Sequence, residues 1–124
     1  MTTIDEASAW AESYKNAWIS NDADDVAALF TDDALYEFRP GDDTPWRGRE
    51  EIVAGWLEEQ DSPEVWKFDY EVRGVLDDGT AVIQGVTEYL DDRPTFENLW
   101  LVRLVDGKAA AFTEWFMVRK GTEK

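Results

Sequence analysis

Residues 29–56, LFTDDALYEFRPGDDTPWRGREEIVAGW, constrain the fold more than any other stretch of this chain. In order they read as a helix end, an Asp-Asp turn, a short strand, a polar loop broken by proline and glycine, and a helix start after Gly48. A small α+β cone needs that order, with helices packed into the concave side of a curved sheet.

The flanking sequence fits the same plan. Thr3 with Glu6 forms a capping box, and a helix then runs to about residue 20. Ile4, Ala7, Trp10, Ala11, Tyr14, Ala17 and Trp18 recur three or four apart and make one buried face. Asp22 caps a short second helix through residue 30, with Val26, Leu29 and Phe30 inward. Asp32-Asp33 then turns the chain into a strand over 35–39, closed by Pro40 and the loop 41–45. The third helix carries Ile52, Val53, Trp56 and Leu57 on one side. Trp66, Phe68, Tyr70 and Val72 alternate with Lys67, Asp69, Glu71 and Arg73, a strand with one buried and one wet face. Asp77-Asp78-Gly79 is a hairpin turn, and strands over 80–90, 95–105 and 108–119 follow, the last two joined at Asp106-Gly107. No repeat or linker interrupts residues 1–124, which read as one domain.

Composition removes whole classes of chemistry. With no Cys and no His among 124 residues, disulfides, thiol nucleophiles, imidazole bases and nearly all zinc sites are excluded. A net charge of −16 repels phosphate backbones and argues against nucleic-acid binding. No apolar run approaches the ~18 residues a membrane span requires, and no basic-then-apolar leader opens the chain. A soluble, cytoplasmic protein without membrane partners is expected. Acids cluster at Asp24-Asp25, Asp32-Asp33, Asp42-Asp43, Asp77-Asp78 and Asp91-Asp92. Oxygen ligands of this kind suit calcium or magnesium, but the spacing of a calcium loop is absent. Capping and Asx turns account for the pairs better, so neither metal nor cofactor is expected.

The last two strands are largely apolar on both faces. Asn98, Trp100 and Val102 alternate with Leu99, Leu101 and Arg103, while Phe112, Glu114 and Phe116 alternate with Thr113, Trp115 and Met117. Helices can cover one face of a sheet only. The outer face is expected to pack against a second copy of the chain, giving a homodimer with Trp115 near its centre.

These residues resemble the nuclear transport factor 2-like superfamily, in particular its SnoaL-like and ketosteroid-isomerase-like branches. The resemblance is carried by Tyr14 to Trp18 followed by Asp22 and Leu29-Phe30, by Asp32-Asp33-Ala34, by Gly48-Arg49-Glu50 with Ile52 and Trp56, and by the closing Phe112, Glu114, Trp115, Phe116. It implies a cystatin-like α+β roll: a cone-shaped, curved, mixed and largely antiparallel sheet with three N-terminal helices on its concave face. It says little about function, because the superfamily hosts many reactions and non-enzymatic binders. Tyr14 falls where ketosteroid isomerases keep an oxyanion-hole tyrosine. Their general-base aspartate falls on Phe38 and their proton-donating aspartate close to Trp100, so that mechanism is not expected. The histidine-dependent reactions of other branches have no residues to run on, and no Arg-x-Asp pattern of limonene epoxide hydrolases lies on the 95–105 strand.

The resemblance implies that Tyr14, Trp18, Tyr36, Phe38, Trp56, Asn98, Trp100, Phe112, Glu114 and Phe116 point into the cone. Glu114 stands out as a carboxylate among rings. Burial disfavours its charged form, and a carboxyl brought near neutrality is a competent general acid or base. Tyr14 would hydrogen-bond a substrate oxygen where charge develops, and Asn98 would orient the substrate. Trp18, Tyr36, Phe38, Trp56, Trp100, Phe112 and Phe116 would form ligand-binding walls. Against this stands a structural role, since a buried Glu often satisfies an indole N–H and Tyr14 on an amphipathic helix is commonly core. Both faces of the 80–90 strand are mixed, so the placement of Gln84 and Glu88 stays open. Three readings follow: a cofactor-free acid–base enzyme acting on a small apolar or aromatic molecule, a binding module for an apolar or cationic ligand without turnover, or a dimeric scaffold with a filled core.

Overall fold

The computed structural model describes residues 2–123. Helix α1 (Ile4–Ser20) opens on the expected box: Glu6 N donates to Thr3 Oγ1 at 3.1 Å and Thr3 N to Glu6 Oε1 at 3.1 Å. Ala7, Trp10, Ala11, Tyr14 and Ala17 are buried along it, whereas Ile4 is exposed and Trp18 half-buried. Asn21, in the left-handed region at φ 49°, ends the helix. Helix α2 (Ala23–Ala27) starts at Asp22, whose carboxylate accepts from the amides of Asp24 and Asp25.

Here the chain departs from expectation. Helix α2 stops at Ala27, and strand β1 (Phe30–Glu37) begins at Phe30, so Asp32 and Asp33 lie inside a strand. Arg49 explains the early start, because its Nε and Nη2 donate to Phe30 O at 3.0 and 2.8 Å and Nη1 pairs with Asp32. The strand absorbs the two acids through a register shift between Phe30 and Leu35. It also ends at Glu37, leaving Phe38 just beyond it. The buried Asp42 carboxylate holds the next loop by accepting from Phe38 N at 3.0 Å and Thr44 N at 2.9 Å, and these amides keep it below the usual carboxylate range. That loop delivers a strand the sequence did not suggest, β2 (Trp46–Arg47), antiparallel to β1.

Helix α3 (Arg49–Glu58) buries Ile52 and Trp56, and a single 3₁₀ turn (Pro63–Val65) leads to the meander. Strands β3 (Trp66–Val75), β4 (Thr80–Tyr89), β5 (Phe96–Val105) and β6 (Lys108–Val118) pair antiparallel in sequence order, and β6 pairs parallel with β1. The result is one curved, unclosed, mixed sheet in the order β2-β1-β6-β5-β4-β3, an α+β architecture as expected. Asp106 and Gly107, at φ 51° and 80°, make the tight β5–β6 turn, which requires positive φ at both positions.

Pairing assigns the faces. Asn98 lies opposite Phe116 and Trp100 opposite Glu114 on the concave side, with Leu99 opposite Trp115 on the convex side. Gly85 pairs with Asn98, so Ile83, Thr87 and Tyr89 of β4 share the concave face, while Gln84 and Glu88 point outward and are exposed. Gly85 is glycine because a Cβ there would come within 2.6 Å of the Phe68 ring. Three of the Asp pairs behave as turn chemistry, through Asp42, through Asp78 accepting from Thr80 N and through Asp91 accepting from Arg93 N, whereas Asp32-Asp33 lies in β1 and Asp24-Asp25 in the first turn of α2. Among the described residues no acidic cluster is arranged to hold a metal, and no helix is long and apolar enough to cross a membrane.

Candidate functional site

Aromatic rings fill one half of the concave face and stop short of filling the other. Trp10 is tied down by its indole N–H to Leu29 O at 3.0 Å. It meets Phe30, Trp100 and Phe112, and all four are buried. One turn further along α1, Tyr14 marks the edge of this packing. Beyond it a cavity of about 350 Å³ opens between α1, the end of α3, β1 and the strands β4–β6.

Tyr14, Trp18, Tyr36, Phe38, Trp56, Asn98, Glu114 and Phe116 border this cavity. Trp100 and Phe112, expected as walls, do not; both are 1% exposed and belong to the packing behind it. Phe116 faces inward but is half exposed, with Phe96 packed edge-on at 5.7 Å, so these rings form part of the mouth. Trp18 stacks face to face on Trp66 at 3.8 Å.

Glu114 lies at the junction of filled and open halves. Its side chain keeps a partly accessible edge on the cavity, while its carboxyl sits deep in the fold. Trp100 Nε1 donates to Glu114 Oε2 at 3.0 Å. Asn98 supplies a second donor, and its amide is oriented by Thr87, whose hydroxyl donates to Asn98 Oδ1 at 2.8 Å. Desolvation outweighs both donors and pushes the Glu114 carboxyl up to about 7. Nearby, the Tyr14 and Tyr36 hydroxyls share a hydrogen bond of 2.7 Å. Burial first, and then the neighbouring phenol and Glu114 for Tyr14, or Glu114 for Tyr36, raise both phenols well above their usual range, so both stay protonated donors.

Sequence reasoning missed the mouth and one wall. Trp46 is a wall because β2 brings it beside Tyr36 and edge-on to Phe38 at 4.6 Å. Across the mouth, Arg93 Nη1 meets Asp61 at 3.0 Å and Nη2 meets Asp91 at 2.8 Å, while its guanidinium lies 3.7 Å from the centre of the Tyr89 ring. Those carboxylates raise the guanidinium still further above its usual range. Burial chiefly, then Asp61, pushes the Tyr89 phenol up to about 12. Thr87 and Tyr89 lie on the strand whose inward face the sequence left open. The observed Gly85–Asn98 pairing puts both on the concave face with Asn98.

A curved, unclosed mixed sheet with helices on its concave side is the architecture of the nuclear transport factor 2-like roll. Within that superfamily the chain belongs to the SnoaL-like domain family, whose model matches residues 11–112. No curated protein matches the chain. Among solved structures it is similar to an LEH-like epoxide hydrolase of M. tuberculosis, at 21% identity and TM-score 0.63, covering 92% of this chain and 84% of that one. It is similar also to a steroid delta-isomerase of Pseudomonas aeruginosa, at 17% identity and TM-score 0.63, covering 94% and 83%. A domain of unknown function with a cystatin-like fold from Nostoc punctiforme matches at 19% identity and TM-score 0.68, covering 97% and 82%. Identities this low establish the shared fold alone.

Proposed function

We propose that the chain is a cofactor-free enzyme that moves a proton on a small apolar or aromatic substrate, with Glu114 as the acid–base group. One observation carries this reading: a carboxyl held near pH 7 by burial, at the edge of an aromatic cavity large enough for a small molecule. In its ionised form Glu114 takes a proton from the carbon beside a carbonyl. The electron pair passes to the carbonyl oxygen, and the paired Tyr14 and Tyr36 hydroxyls stabilise the resulting charge by hydrogen bonding. Protonated Glu114 then returns the proton, at the same carbon or at another. By the ketosteroid-isomerase resemblance the two carboxylates of that mechanism fall on Phe38 and close to Trp100, so Glu114 is carried over from neither role.

The test works without first identifying the substrate. A panel of ketones and enones from cyclohexanone to steroid size is incubated in D₂O, and loss of the α-proton signals is followed by NMR. Wild type is expected to exchange at least one member, and Glu114→Gln to do so ~10²–10⁴-fold more slowly. A silent panel together with a Glu114 carboxyl titrating near 4.5 overturns the reading.

A second reading, ligand binding without turnover, draws on the donors fixed to Glu114. Trp100 and Asn98 hold the carboxylate in place, which favours a static counter-charge over a moving proton.

For the convex face we infer a second copy of the chain. Val82, Val86, Leu99, Leu101, Trp115 and Met117 supply apolar surface there, interleaved with Gln84, Glu97 and Thr113, with Trp115 42% and Met117 68% exposed, and bounded on β3 by Lys67, Asp69 and Glu71. Two chains of −16 repel, so association should tighten with added salt. Light scattering is expected to give a dimer that Trp115→Glu converts to monomer; a monomer at every salt concentration removes this interface.

A further inference from the structure

We infer that the ligand of this cavity is an organic cation, an ammonium group carrying apolar or aromatic substituents. This rests on the preceding reading only in taking the cavity as a ligand site. The charge inventory comes first. The charged side chains on the described lining are Glu59, Asp61, Glu114 and Arg93. Arg93 is already committed: Asp61 and Asp91 hold its two terminal nitrogens, Nε meets both oxygens of Asp91 at 3.2 Å, and the guanidinium lies over Tyr89. An anionic ligand would therefore find no uncommitted cation and would be driven against Glu114. The cavity is net acidic within a chain that is itself at −16, a field that draws cations in.

The walls supply the second half of the recognition. Trp18 presents an indole stiffened by its stack on Trp66, and Trp46 stands edge-on to Phe38. Trp56 and Phe116 line other parts of the same space. Ring faces attract a quaternary or alkylated ammonium through their quadrupoles, and such a cation is weakly hydrated enough to leave water for an aromatic cavity. Glu114 supplies the counter-charge at the inner end. A neutral ligand would contact the walls equally well but would leave that carboxylate without a counter-charge, held only by the Trp100 and Asn98 donors. An organic cation engages the ring faces and the counter-charge together.

Three probes of nearly equal shape test this: phenyltrimethylammonium, tert-butylbenzene and benzenesulfonate, titrated into the whole protein at pH 8 and fixed ionic strength, with tryptophan fluorescence and ligand proton shifts as readouts. In an ordinary apolar pocket the neutral hydrocarbon binds best. Here the ammonium is expected to bind at least ~10-fold tighter than the sulfonate and tighter than the hydrocarbon, with its methyl protons shifted upfield by the surrounding rings. Glu114→Gln should reverse the order of ammonium and hydrocarbon. Should that variant not fold, Trp18→Leu keeps the carboxylate and removes one ring face. It is expected to cost ammonium affinity ~5-fold or more and leave the sulfonate unchanged. Hydrocarbon binding as tight as ammonium, or a preference that survives Glu114→Gln, overturns the cation assignment while leaving the ligand site standing. Binding of none of the three overturns both.

Discussion

The two halves of the concave face are built from the same residue types and do opposite things. In one, Trp10, Phe30, Trp100 and Phe112 meet edge to face and tilted, and all are buried. In the other, Trp18, Phe38, Trp46 and Phe116 keep part of their surface open and stand around empty space. Aromatic content therefore does not separate a wall from a core. The boundary falls where a polar side chain enters the concave face, at Glu114 between Phe112 and Phe116, with Tyr14 on the opposing helix. A ring can be covered by rings, whereas a carboxyl must be given donors and neighbours of its own.

The sharpest way to break this comparison is to truncate one ring from each half. Phe112→Ala opens a void in close-packed surroundings and should cost ~3–5 kcal/mol in urea unfolding. Phe116→Ala, half exposed at the mouth, should cost under ~1 kcal/mol. Equal losses would mean that the two halves are one core.

Next in size is the pH dependence of Glu114. Below about 4.5 its carboxyl is protonated in folded and unfolded chains alike. Between about 4.5 and about 7 the unfolded chain gives up a proton that the folded chain keeps, so stability falls as pH rises through that window. The loss is up to about 3 kcal/mol and is complete above pH 7. It runs opposite to the usual behaviour of a carboxylate in an ion pair. Because the chain's large negative charge adds its own pH dependence, the measurement is the difference between wild type and Glu114→Gln at pH 5 and pH 8. The variant should be relatively more stable at pH 8, and no change in the difference would return Glu114 to the solvent.

How much of this was legible follows the same boundary. Helix α1 with its cap, the meander and its turns came through because each rests on local chemistry: the reciprocal Thr3–Glu6 bonds, the alternation from Trp66, the positive φ values at Asp106 and Gly107. The inward set, Glu114 included, followed from strand parity once a fold was in view. The start of β1 at Phe30 was missed because a long-range donor, Arg49, rather than anything local, extends the strand across two aspartates. Packing depth was missed too. Parity says that Phe112, Glu114 and Phe116 share a face, but which of them is sealed depends on α1 lying over one end. The mouth, with Arg93 between Asp61 and Asp91, joins two loops distant in sequence that carry no periodicity.

A finer test of the boundary is Thr87→Val, which removes one buried hydroxyl and should cost ~1 kcal/mol. Its more telling effect is on Glu114. Without the Thr87 proton at Oδ1, nothing prevents the Asn98 amide from turning its oxygen toward the carboxyl. Glu114 would then lose a donor and gain a lone pair, raising its titration above about 7. Carbon-13 NMR of the Glu114 carboxyl reads this directly, and an unchanged titration would mean that the Asn98 amide keeps its orientation without Thr87.

The smallest change is at Gly55, where a Cβ would strike the Trp46 indole. Alanine in the middle of α3 gains ~1 kcal/mol of helix propensity. Pushing Trp46 off the helix costs a similar amount in packing, so net stability should shift by under ~1 kcal/mol. The cavity, however, loses the position of one wall. If the open half is a binding surface and not merely unfilled core, Gly55→Ala should change ligand affinity several-fold at nearly constant melting temperature. Phe112→Ala should do the reverse, lowering melting temperature far more than affinity. Parallel changes in the two variants would join what the geometry divides.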